Sequence, residues 1–186
     1  MNLIARRRDV SQNLAERTVL AAAARPDAPM FELIELMFFA YRDFVGDADH
    51  LLARLGFGRA HHRVLHFVAR RPGLTIAELL DILQITKQSL NRVLKELIGR
   101  GYVEARPGMT DRRQRQLFPT ARGEALALDV ALLQSKRLAR VFGELPEGAL
   151  AQAAGFLFAM AGSGGRDKVA AMTGAGPASS TEGPER

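Results

Sequence analysis

The chain contains no cysteine. Disulfides, thiolate-bound zinc and thiol nucleophiles are excluded together, and the composition suits a reducing compartment. Long hydrophobic runs are missing too: no stretch approaches the ~18 uninterrupted apolar residues of a membrane span. Arg6-Arg7-Arg8 stands near the start, but no apolar run follows it as a secretory signal requires. The expectation is a soluble, cytoplasmic protein. Catalytic signatures are equally scarce. Neither a Gly-x-Ser-x-Gly nor a metalloprotease motif occurs, and no convincing acid–base pair stands out. Gly162-Ser163-Gly164-Gly165-Arg166 lacks the Lys-Ser/Thr ending of a phosphate loop, and no strand pattern precedes it. His62 and His66 share a helical face beside His61, a spacing able to hold a metal. No carboxylate or cysteine stands suitably spaced nearby, which favours a structural or pocket-lining role. These gaps point away from an enzyme, a cofactor or a metal centre.

What is present is apolar and basic. With 47% hydrophobic residues, wholesale disorder is excluded. A chain of 186 residues suits one domain with an attached dimerisation layer. The net charge is +6. Residues 86–122 hold nine Lys/Arg against three acids, so this segment alone carries the whole excess. Focused positive charge of that kind points to a polyanion.

The same segment has a readable pattern. Ile76, Leu79, Leu80 and Leu83 form a short helical stripe, with Thr75 as N-cap and Glu78 completing a capping box. Gln84 and Ile85 separate it from a second helix that Thr86 can cap. There Leu90, Val93, Leu94, Leu97 and Ile98 make an apolar stripe, while Lys87, Gln88, Asn91, Arg92 and Lys95 occupy the other side. Two short helices joined so tightly form a helix-turn-helix. Gly99-Arg100-Gly101 closes the second helix. Tyr102–Arg106 and Arg115–Phe118 read as strands around Pro107-Gly108-Met109-Thr110, with Asp111-Arg112-Arg113 at the hairpin tip.

Helix, helix and basic-tipped hairpin make a winged helix-turn-helix. The order resembles the MarR (multiple antibiotic resistance regulator) family over roughly residues 30–160. Its carriers are Thr86-Lys87-Gln88-Ser89, Leu97–Val103, Asp111-Arg112-Arg113 and Thr120-Ala121-Arg122-Gly123. Gly56–Leu65 resembles the PetP-type branch. Pro119 departs from the family, where an aliphatic residue is usual; proline forfeits a ladder donor but is tolerable at an edge.

The resemblance implies a mainly α fold with a small β-wing: a winged helix-turn-helix lobe plus a helical dimerisation layer. The domain should span 30–161, with the winged helix at about 56–122 and dimerisation helices at about 30–55 and 120–161. Met30–Leu55 is apolar on more than one face, as is the helix holding Leu150, Ala153, Ala154, Phe156, Leu157 and Phe158. Such helices need partners beyond one small domain, and in this family the first and last helices of two subunits interlock. The alternative is a helix buried within one chain. Between them, Thr120 caps a long helix to about Glu144, with Leu126/Val130/Leu133 on one side and Leu128/Leu132/Ala139/Phe142 on another. Residues 1–29 read as an extension, partly helical (Ser11–Ala24) or disordered, and 162–186 as a disordered tail.

The functional expectation is a sequence-specific DNA-binding transcriptional regulator, a repressor by the family's commoner habit, acting as a homodimer on an inverted-repeat operator of double-stranded DNA. Thr86 opens the recognition helix. Gln88, Ser89, Asn91 and Arg92 suit base edges, and Lys87 and Lys95 suit phosphates. Arg112 and above all Arg113 would enter the minor groove, Arg115 would reach the backbone, and Asp111 would brace the wing through an arginine. In this family small anionic or aromatic ligands can lodge between the lobes, and Tyr41, His62, Arg63 and His66 are the candidates to line such a cleft. Peroxide sensing through cysteine is excluded. Two alternatives stay open: an architectural, weakly specific DNA binder without a ligand, and a winged helix that recruits protein.

Overall fold

The computed structural model describes residues 28–108 and 114–173. The elements in order are α1 (Phe31–Ala53), α2 (Arg59–Arg70), β1 (Leu74–Thr75), α3 (Ile76–Leu83), α4 (Lys87–Gly99), β2 (Val103–Pro107), β3 (Arg115–Pro119), α5 (Ala121–Glu144), α6 (Ala149–Met160) and α7 (Ser163–Thr173). They fall into two units that divide between Glu144 and Leu145.

The first unit is built around α3 and α4. Thr75 starts α3 with the full capping box: its hydroxyl accepts from the Glu78 N–H at 3.2 Å, and its own N–H donates to Glu78 Oε2 at 2.7 Å. Gln84 ends the helix in the left-handed region at φ 50°. That conformation costs a non-glycine residue about 1 kcal/mol, and here the Gln84 amide recovers a bond to the Asp81 carbonyl at 2.6 Å. Thr86 then caps α4, accepting from the Ser89 N–H at 3.2 Å. At the far end Gly101, at φ 72°, lets the chain leave in a Schellman turn. The Tyr102 N–H donates to the Leu97 carbonyl and the Gly101 N–H to the Ile98 carbonyl.

The apolar stripes of α3 and α4 meet other elements in one core. Ala48 and Leu52 of α1 pack with Val64, Leu65 and Val68 of α2, Leu79 and Leu83 of α3, and Leu90, Val93, Leu94 and Leu97 of α4. Tyr102, Val103, Leu117, Leu126 and Val130 complete it. Each buried leucine or valine contributes about 1.5–3 kcal/mol. Ile98, expected in the stripe, is instead 40% exposed, one residue past the inward face.

The sheet has the order β1-β3-β2 and is antiparallel throughout. The wing strands are those expected, but β3 is the central strand, because Leu74 and Thr75 pair with Leu117 and Gln116. A two-residue strand leaves no periodicity to read. Pro119 faces Val103, past the two residues that β1 engages, so its missing N–H leaves that ladder intact. Beyond it Thr120 caps α5, accepting from the Gly123 N–H at 3.1 Å and donating to the Gly101 carbonyl at 2.7 Å. Gly123 is required here: a Cβ at this position would stand 1.9 Å from the Tyr102 carbonyl oxygen.

Helix α5 runs along the second half of α1, where Val45, Ala48 and Leu52 are buried and Arg137 bonds Asp47 at 2.8 Å. Leu126 and Val130 face the core, while Leu128 and Leu132 are exposed, so the two apolar sides of α5 differ in cover. The first half of α1 is bare: Phe31 is 63% and Phe38 70% exposed, and Ile34, Met37, Phe39 and Tyr41 are exposed with them.

In the second unit, α6 has no buried residue, and Leu150, Phe156, Leu157 and Phe158 are exposed. Helix α7 corrects the expectation of a disordered tail from residue 162 onward. Arg166 to Met172 are mostly good helix formers, and this local preference suffices for a short helix without an amphipathic pattern. The expected helix at Ser11–Ala24 and the wing tip lie outside the described residues.

Candidate nucleic-acid interface

Burying Leu90, Val93, Leu94 and Leu97 turns the rest of α4 outward. Thr86, Lys87, Gln88, Ser89, Asn91, Arg92 and Lys95, all singled out from sequence, are all exposed. The Thr86 hydroxyl is spent on the helix start: it accepts from the Ser89 N–H and donates to Ser89 Oγ at 2.9 Å. Ser89 therefore keeps its hydroxyl proton for another acceptor. No hydrogen bond or ion pair ties Lys87, Arg92, Lys95 or Arg115 to another described residue. The helix N-terminus, with its unpaired N–H groups and partial positive charge, opens on the same side as Lys87 and Gln88. Asp111, Arg112 and Arg113 lie outside the described residues; Arg115 is exposed at the start of β3.

The other basic residues of the segment behave differently, and composition does not separate them. The Arg100 guanidinium lies 4.3 Å from the Phe57 ring centre and donates to the Leu55 carbonyl. Arg122 lies 4.3 Å over the Tyr102 ring and donates to the Arg100 carbonyl at 3.2 Å. Arg106 lies 4.4 Å over Phe118 and pairs with Glu104. All three extend over aromatic faces, leaving fewer cations for a partner than nine. Phe57 is the residue whose role went unread. It lies in the loop before α2 and is nonetheless buried, stacked on His61 and edge-on to Tyr102. A phenylalanine between two glycines was the available signal.

The candidate ligand residues do not all converge. His62 and His66 meet edge to face at 6.4 Å between ring centres, both half-buried. Burial holds the His62 imidazole below its ordinary pKa, and neighbouring His66 adds to this while Asp49 opposes it. Burial and then Arg70 do the same for His66. Both rings thus favour the neutral form. Arg63 is committed elsewhere, donating to the last carbonyl of α3, that of Leu83, at 2.8 Å. Tyr41 is exposed on α1, with the Arg59 guanidinium 6.0 Å from its ring centre. Among the described residues no group of three or more His, Asp or Glu is arranged to hold a metal ion. No helix among them is long and apolar enough to cross a membrane.

Residues 55–114 match the MarR family model. The chain is 50% identical over 105 residues to the HTH-type transcriptional regulator PetP of Rhodobacter capsulatus, covering 56% of this chain and 63% of that protein. It thus spans a little under two thirds of that relative's length. Among solved structures, a SlyA-like transcription regulator from Listeria monocytogenes superposes with a TM-score of 0.61 at 17% identity, covering 75% of this chain and 93% of that one. The MepR–DNA complex from S. aureus gives a TM-score of 0.57 at 18% identity, covering 68% and 93%. At such identities the structures speak for the fold alone. Residues 55–114, which hold the helix-turn-helix, thus match the MarR family and resemble PetP, and the fold around them is the one that these solved regulators share.

Proposed function

We propose that the protein is a sequence-specific DNA-binding transcriptional regulator that clamps duplex DNA as a homodimer. The observation that carries this reading is the outward face of α4, where six side chains able to donate hydrogen bonds stand exposed on a helix capped by Thr86. Arg92 can bond guanine bidentately, and Gln88 or Asn91 adenine, in the major groove. Lys87 and Lys95 hold phosphates and fix the register. Arg112 and Arg113 at the wing tip enter the adjacent minor groove, and Arg115 reaches the backbone. The relative PetP is named as a transcriptional regulator and MepR was solved with DNA, which supports the same role here.

The dimer reading rests on two uncovered apolar surfaces. The first half of α1 and most of α6 each expose more large apolar side chains than a soluble monomer ordinarily leaves bare. A second copy covering them would set two α4 helices about one DNA turn apart and require an inverted-repeat operator. Repression, and control by a small anionic or aromatic molecule near His62 and His66, follow from the family resemblance.

Selection of bound sequences from a random duplex pool tests the reading. The expected product is an inverted repeat with half-sites one helical turn apart, bound by two chains. A pool that fails to enrich would contradict it. Replacing Phe38 by Glu should yield a monomer with operator affinity reduced at least tenfold, measured by light scattering and titration.

A further inference from the structure

We propose that His61 is a positioning residue for the base-reading helix: its imidazole bridges the start of α2 to Glu96 and thereby fixes how α4 is turned towards a bound duplex. This rests on the DNA-binding role above. The Gly58 N–H donates to His61 Nδ1 at 3.2 Å, and His61 Nε2 lies 2.9 Å from Glu96 Oε2. The first bond requires a lone pair on Nδ1, so Nε2 carries the proton and donates it to the carboxylate. One ring therefore satisfies both groups, and only in this tautomer.

The ring cannot easily turn away. Its side chain is 13% exposed and stacks on Phe57 with centres 4.8 Å apart and planes 23° apart. Phe57 is held in turn by the edge of Tyr102 at 5.0 Å and by Arg100 on its ring at 4.3 Å. Tyr102 and Arg100 follow directly from the C-terminus of α4, so the stack and the His61–Glu96 bond grip the same end of the helix. Glu96 lies one turn beyond Arg92. Rotating a helix by about 10° moves a side-chain tip by roughly 1 Å, given its ~5–6 Å radius. A shift of that size spoils bidentate geometry but hardly affects attraction to phosphates. The bridge should therefore govern the preference for operator over unrelated DNA, rather than affinity for DNA in general.

The test uses the full chain, the selected operator and a scrambled duplex, with thermal unfolding monitored in parallel. His61→Ala and Glu96→Ala should each lower the operator-to-scrambled affinity ratio about fivefold, and the double variant no further, because the two act as one unit. His61→Gln places an amide donor near the Nε2 position and should stay within about twofold of the wild type. His61→Asn imitates Nδ1 alone and should resemble His61→Ala. The proposal is overturned if His61→Ala keeps the wild-type ratio, if the Gln and Asn variants match, or if the two Ala losses multiply. A wild-type chain that prefers no duplex overturns the DNA-binding role itself. A wild-type preference that survives every variant overturns only the part given to His61.

Discussion

The two ends of α4 use positive charge in opposite ways. At the start and along the outer face, Lys87, Arg92 and Lys95 extend into solvent with no described intramolecular partner. At the end, Arg100 and, reaching across from the first turn of α5, Arg122 lie over Phe57 and Tyr102 and donate to main-chain carbonyls of Leu55 and Arg100. The first set is available to a polyanion, and the second is part of the protein's own architecture. Charge density alone therefore overstates the contact surface, and ring contacts correct it. Cation–π pairs at such exposed sites contribute about 0.5–1 kcal/mol each, enough to order a side chain but too little to hold a fold.

The largest expected effect sharpens the structural end. Gly123→Ala forces a Cβ against the Tyr102 carbonyl at 1.9 Å, and both are backbone groups held by Thr120, whose N–H donates to that carbonyl and whose hydroxyl accepts from the Gly123 N–H. It should cost about 3 kcal/mol or more, read as a lower urea midpoint. Next comes the contrast itself. Arg92→Ala should lower operator affinity about 10- to 100-fold with stability changed by less than ~0.5 kcal/mol. Arg122→Ala should reverse the pattern, losing about 1 kcal/mol of stability while keeping most operator preference. Equal outcomes for the two would abolish the distinction. Arg113→Ala should reduce the salt dependence of binding by about one phosphate equivalent and leave dimerisation intact, as read by anisotropy at several salt concentrations.

The smallest effect concerns pH. The folded pKa values of His62 and His66 are depressed by burial, so between those values and about 6.5 the unfolded chain binds more protons. Stability should fall as pH drops below about 6.5, and the double His62→Gln, His66→Gln variant should flatten that slope. The lowered carboxyls act lower down. Asp47, held by its bond to Arg137, and Glu78, held by the Thr75 N–H, contribute stability that is lost only in stronger acid.

Much of the fold was legible because its signals are local. Thr75 and Glu78, Thr86, Gly101 and Thr120 each satisfy or end a helix through neighbours within a few residues, and the buried stripes of α2 to α4 repeat at helical spacing. The exposed face of α4 followed from the same periodicity. Contacts between residues distant in sequence were not legible. Leu74 pairing with Leu117, Arg100 reaching Leu55, and His61 reaching Glu96 join residues 35 to 45 apart, which no periodicity reports. Helix α7 was missed for a different reason: glycine and serine at its start masked the helix formers behind them.

The central claim is that the outward face of α4 reads sequence. It is tested most directly by titrating labelled operator and scrambled duplexes with the wild-type chain and with Arg92→Ala at one fixed salt concentration. The account predicts a wild-type preference of at least about a thousandfold, shrinking by ten- to a hundredfold in the variant. A wild-type ratio near one, or a variant with the full wild-type preference, would contradict it.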